Sequence, residues 1–169
     1  MKLETRVLLT DLKELIRKWP DVVRSETTAV MDLVVRRIEA EVVSGTPLGV
    51  GGAAGLAGSI FGEVESGMHR VTGIVGTPLE YGEVVELGRR PGARMPPVAP
   101  IALWAQRKLG VDADEAESVG FAIARKIAVH GFEGAHMFGK AWEELDNWAM
   151  QMLGTIPGRV VARVAANNG

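Results

Sequence analysis

The sequence contains no cysteine. That removes disulfides, thiolate metal sites and thiol nucleophiles together, and it fits synthesis in a reducing cytosol. Aromatic residues make up only 5% of the chain. An excess of one charge sign is also missing. The net charge is −2, so no basic surplus marks a dedicated nucleic-acid binder and no acidic surplus marks disorder. The longest uncharged run, Val42 to Gly62, has nominal membrane length. It is loaded with glycine and holds Pro47, and both oppose a continuous helix. The run therefore reads as a flexible loop, about Gly45 to Gly55, leading into a strand. The N-terminal stretch "MKLETRVLLTDLKELIRKWP" carries charge too early and too often for a secretory signal.

Familiar catalytic signatures are equally scarce. There is no G-x-S-x-G elbow. "GVGGAAGLAG" has the wrong neighbours for a dinucleotide fingerprint, because it follows a helix and opens a strand. "HGFEGAH" sets Glu133 between His130 and His136, but two glycines break any fixed metal-binding face. The third histidine, His69, stands alone. Glu83 and Glu86 lie three apart on a short helix, a spacing that suits a solvated or partner-binding edge better than paired acid–base chemistry. No catalytic, cofactor or metal residue is assigned.

What the sequence does contain is periodicity. With 169 residues, one domain of 1–169 is expected, with an N-terminal arm at 1–20 and a C-terminal tail at 154–169. Leu12, Leu15, Ile16 and Trp19 follow helical spacing up to Pro20. A long helix is expected from about Asp21 to Val43, on the recurrence of Val23, Val30, Leu33, Val34, Ile38 and Val42. The period then changes to two. Ile60, Gly62 and Val64, a Ser66-Gly67 turn, and Val71, Gly73 and Val75 predict a β-hairpin. The long helix is its expected cover, because a bare hairpin is marginal in water. A short helix near Leu79–Leu87 closes at Gly88. A stiff loop of proline, glycine and arginine spans Arg89 to Pro97. "PVAPIALWAQRKLG" opens a helix on prolines. Asp112 and Glu115 resemble a capping box ahead of a stripe of Ala116, Val119, Ile123, Ala124 and Ile127. A further helix carries Ala141, Trp142, Leu145, Trp148, Ala149 and Met152 on one side, and another is expected within Pro157–Ala166. The fold class is α+β: a long N-terminal helix packed on a small antiparallel sheet, with additional C-terminal helices.

The order of these segments resembles the neck and tail-completion (head–tail joining) family of long-tailed bacteriophages. "TPLGVGGAAGLAGSI" supplies Gly55, Leu56, Ser59 and Ile60 at the family's first motif. "YGEVVELG" supplies Tyr81, Val85, Glu86 and Gly88 at its Y-A-x-x-V-E-x-G. "HMFGKAWEE" supplies Phe138, Ala141 and Glu143 or Glu144 at a third, with Met137 where proline is usual. Trp104, Lys108, Leu109 and Gly110, then Ile127, Ala128 and Gly131, follow a variant found in some relatives. The match runs from about Val22 to Leu153.

The resemblance implies a non-enzymatic structural protein of the virion neck, made in the host bacterial cytoplasm, without cofactors or membrane contact. Its implied partners are copies of itself in a ring (hexameric in expectation), head-closure or connector proteins, and tail-terminator or tail-tube proteins, with non-specific proximity to packaged DNA. A tail terminator capping the tube is the nearest alternative role. A membrane-active or binding module using the glycine loop 45–58 is the alternative from another class. The expected interface residues are Tyr81, Glu86, Arg89, Arg90, Arg94, Trp104, Gly55 and Leu56. Tyr81 and Trp104 are expected as buried anchors, and Glu86 as an ion-pair partner of the arginine loop or a cap.

Overall fold

The computed structural model describes residues 16–47, 49 and 55–167. Leu12, Leu15 and most of the glycine-rich loop lie outside the described residues. The chain is α+β, with a long N-terminal helix, a small antiparallel sheet and several further helices. It divides into two compact units interleaved in sequence. One comprises residues up to 41 with 61–76 and 139 onward; the other comprises 42–60 and 77–138.

The first unit is built on helix α1, Pro20–Gly45. Pro20 opens it, where a missing N–H has no helical partner anyway. Its apolar residues at steps of three and four bury Val23, Val30, Val34 and Ile38, together with Met31 and Val35. Leu33 does not join them and is 50% exposed. At about 100° per residue, a stripe centred between 31, 34 and 38 leaves position 33 on the outer side.

Against this stripe lies a hairpin of β1, Phe61–Ser66, and β2, Val71–Gly76. They pair antiparallel with Gly62 opposite Val75 and Val64 opposite Gly73. Gly67 N–H donates to the Arg70 carbonyl at 2.8 Å to close the turn. Gly62 and Gly73 let the helix approach closely. A Cβ at Gly62 would stand 2.6 Å from Val35 Cγ1, and one at Gly73 would stand 2.5 Å from Val35 Cγ2 and 2.9 Å from Met31 Sδ. Val35 is seated in a notch that two missing side chains create.

Helix α6, Met137–Gly154, lies in this unit from Gly139 onward. It buries Ala141, Leu145, Ala149 and Leu153. Trp142, Trp148 and Met152 are half-buried at the flanks of that stripe, so truncating Trp148 costs less than the full-burial figure for an aromatic.

The expected C-terminal tail is an ordered helix, α7, Ile156–Asn167, anchored by buried Ile156 and Val160. On its next turns Arg159 Nε donates to Glu26 Oε2 at 2.9 Å and Arg163 Nη1 to Glu26 Oε1 at 2.6 Å. One nearly buried carboxylate on α1 thus receives two guanidiniums. The hydrogen bond from Arg163, then that from Arg159, holds the Glu26 carboxyl below the ordinary glutamate range, against the opposing effect of its burial.

The second unit contains the one-turn helix α2, Leu56–Ser59, where an unbroken run from loop into strand was expected. It also holds α3, Tyr81–Leu87, α4, Val98–Leu109, and α5, Ala113–His130. Strands β3, Gly88–Arg89, and β4, Phe132–Glu133, form a two-residue antiparallel ladder. Helix α4 ends at Gly110 in the left-handed conformation, φ 67° and ψ 26°. Asp112 occupies the N-cap of α5 as expected, but its side chain makes no capping bond. The Asp112 carbonyl instead accepts from Glu115 and Ala116 N–H. Ala116, Gly120 and Ala124 are the buried residues of α5, and Gly120 rests on Ala102 of α4.

Two outcomes follow. Gly73→Ala forces its Cβ into Val35 and Met31 and is expected to cost about 1–3 kcal/mol in urea unfolding, whereas Gly158→Ala, with open space around it, shows no such clash. For Glu26 the folded pKa is depressed. Its stabilisation is therefore present above the ordinary value near 4.5 and is lost as pH falls through the lower folded value. Glu26→Gln should lower stability at pH 7 by roughly 1.5–3 kcal/mol. It should also flatten the acid limb of the thermal-melting profile below about pH 5.

Candidate functional site

The expected interface residues all fall in the second unit. The first motif packs inward. Leu56 and Ile60 are 5% and 6% exposed, and Gly55 is buried beside them. Ser59 Oγ donates to the Leu56 carbonyl at 2.7 Å and shares a 2.7 Å hydrogen bond with Thr77 Oγ1. Thr77 Oγ1 in turn accepts Leu79 N–H at 3.2 Å, so a serine–threonine pair starts the turn into α3. Leu56 Cδ1 also lies against Gly82, 3.4 Å from where a Cβ would stand. The first motif is therefore the floor beneath the second.

In the second motif Glu86 is buried, 8% exposed. Its partner across 52 residues is the start of α6: Phe138 N–H donates to Glu86 Oε2 at 3.0 Å. Here Glu86 acts as a helix cap supplied from elsewhere in the chain. The first N–H groups of a helix lack internal acceptors, and the positive end of the helix dipole favours a carboxylate. Two main-chain bonds flank it, from Ala135 N–H to the Val85 carbonyl at 2.8 Å and from His136 N–H to the Glu86 carbonyl at 3.1 Å. A Cβ at Gly134 would stand 2.0 Å from the Glu86 carbonyl oxygen, so only glycine fits there. Met137 is 1% exposed and its sulfur accepts from Thr46 Oγ1 at 3.4 Å.

The arginine loop is held at its root and along its first half. Its root pairs through β3 with β4. Gly92 N–H donates to the Ala128 carbonyl at 2.8 Å. Gly131, with φ 67°, leaves no room for a Cβ beside the Arg89 carbonyl. Arg89 Nη2 donates to the Arg94 carbonyl, and Arg89 Nε is buried without a hydrogen-bond partner among the described residues. Arg90 and Arg94 are exposed. Arg89, Arg94, Met95, Pro96, Pro97 and Val98 line an open groove of about 620 Å³. In the single chain Tyr81 is 47% exposed, close in sequence to Leu87 at 64%. Trp104 is half-buried on α4.

The structure thus splits the expected set. Gly55, Leu56 and Glu86 hold the unit together internally; Tyr81, Arg90 and Arg94 remain on its surface. His130, Glu133 and His136 are exposed, and no group of three or more metal-ligating side chains occurs among the described residues. No helix among the described residues is long and apolar enough to cross a membrane. A second groove, about 700 Å³, lies beside α1 and β1 in the first unit. Four of its five charged side chains pair with each other, Arg24 with Asp21 at 2.8 Å and Arg36 with Asp32 at 3.6 Å.

Glu86→Ala strands the Phe138 N–H and is expected to destabilise the protein by about 1–3 kcal/mol. Hydrogen exchange should localise the loss of protection to the first turn of α6, while the hairpin amides keep theirs.

Compared with protein families, curated proteins and solved structures, the chain matches none.

Proposed function

We propose that this chain is a structural, non-enzymatic protein of the phage neck that joins the DNA-filled head to the tail, working as a ring. The observation that carries this reading is the convergence of segments the resemblance picks out separately. Ser59 of the first meets Thr77 beside the second, Glu86 of the second holds Phe138 of the third, and Ala128 of the last receives the loop that leads into α4. Segments up to 79 residues apart in sequence, Ser59 to Phe138, serve one local architecture. That architecture presents a stiff basic loop with Tyr81, Leu87 and Met95 exposed in the same unit.

A loop fixed by proline, a strand ladder and backbone clamps loses little conformational entropy on docking. Arginine forks suit carboxylates on a protein neighbour. A docking platform of this kind fits a joint whose work is adhesion between neighbours.

In the phage genome that carries this reading frame, removing the frame is expected to leave filled heads and complete tails unjoined. Arg90→Ala with Arg94→Ala should reduce joined particles by about tenfold or more, the change that about 1.4 kcal/mol of binding sets. The purified variant should keep the parent melting temperature. Normal joining in the double variant would remove the loop from the interface. Normal joining without the frame would refute the neck role, and leakage of liposomes by the purified protein would favour the membrane-active reading.

A further inference from the structure

The side of α5 that faces away from its buried stripe carries a pattern that the arginine loop does not use. Phe121 sits at the middle of this 18-residue helix and is 50% exposed. Ser118 and Ala122 beside it are exposed and small. The charges separate by sign, with Glu115 and Glu117 before Phe121 and Arg125 and Lys126 after it. All four are exposed, and none forms an ion pair or side-chain hydrogen bond among the described residues. Opposite signs are too far apart for pairing at three- or four-residue steps within the helix. The helix dipole favours acids and bases only in the first and last turns. Glu117 lies beyond the first turn and Arg125 ahead of the last, and the dipole gives no reason to expose Phe121.

An antiparallel partner accounts for Phe121 and the two charges that border it. About a two-fold axis at Phe121, Phe121 meets Phe121, and Glu117 of each copy lies opposite Arg125 of the other. Glu117 and Arg125 lie about 40° to either side of Phe121 around the helix, so both border the Phe121 contact, whereas Glu115 and Lys126 lie about 120° and 140° from it, outside the contact. Ser118 and Ala122 keep the centre thin enough for two helices to approach. A parallel pair would instead set Glu117 against Glu117 and Arg125 against Arg125.

We propose that α5 is a self-association face through which two copies of this chain pair antiparallel about Phe121. This contact is isologous and closed, in contrast to the head-to-tail contacts of a ring, and it stands independently of the neck assignment. Two helices about 27 Å long make a contact at the small end of stable interfaces, so pairing should depend on concentration and weaken with salt.

Because the chain has no cysteine, Phe121→Cys introduces a single thiol that can bridge only to its own copy. Under mild oxidation it is expected to give a disulfide-linked dimer with unchanged circular dichroism, while Val161→Cys, at a comparably exposed position, stays unlinked. In sedimentation equilibrium Glu117→Lys should weaken wild-type dimerisation by about tenfold or more, and adding Arg125→Glu should restore it. Wild-type protein that remains monomeric at high concentration overturns the proposal. So does Phe121→Cys linking no faster than Val161→Cys, or a folded double variant without rescue. A ring that forms while Phe121→Cys stays unlinked overturns the pairing and leaves the neck assignment standing.

Discussion

The second unit depends on one buried carboxylate. Glu86 would be costly to bury alone, because removing a charge from water carries a penalty of several kcal/mol. The start of α6 offsets that cost with an N–H donor and the favourable end of its dipole. The helix gains a cap its own sequence does not provide, since Met137 precedes Phe138 and no Ser, Thr, Asp or Asn is there to do it. Once this bond fixes the residues before α6, Gly134 lies against the Glu86 backbone and β4 runs beside β3. Gly131 then lies against the Arg89 carbonyl. The stiffness of the arginine loop therefore begins at a carboxylate that never reaches the surface.

Repetition explains which parts of the fold can be read in advance. The alternation at Gly62, Val64, Val71, Gly73 and Val75 marks the hairpin, and the spacing of Val30, Val34 and Ile38 marks α1, because each residue reports the same face again. Gly110 and Gly131 end their helices at the expected places for the same local reason, a backbone turn that glycine adopts cheaply. Features that occur once are silent. The β3–β4 ladder has two residues per strand, too few for any period. Helix α2 is a single turn at the end of a glycine tract. Leu33 is apolar and falls near the right spacing, yet an excess of valines on α1 leaves more apolar positions than one stripe can bury.

The candidate site shows the same limit from another direction. Glu86 stands out in its motif, and its companion Phe138 stands out in another, but nothing in either segment states that they touch. The same holds for Glu26 with Arg159 and Arg163. Each is an ordinary charged residue on a helix, and only the folded chain brings them together. Tyr81 was expected as an interface anchor because aromatics often dominate binding energy. It lies outside because Gly82, next to it, takes the inward position against Leu56 and Thr77. A residue with no side chain thus decides where its aromatic neighbour goes.

The interleaving of the two units has a consequence for the order in which the chain takes shape. The second unit is assembled from residues 42–60 and 77–138, so all of its parts have been synthesised once the first turn of α6 has been made. The first unit cannot close then. Its hairpin and most of α1 are already synthesised, but the rest of α6 and all of α7 are still to come, and Glu26 waits for arginines 133 and 137 residues downstream. Contacts of such long sequence separation form late, because the loop between them must be closed before they contribute. During that interval the apolar stripe of α1 has only the hairpin to cover it. A nascent chain stalled between the two stages is therefore the species most exposed to aggregation, and the last thirty residues act as the closing step of the fold.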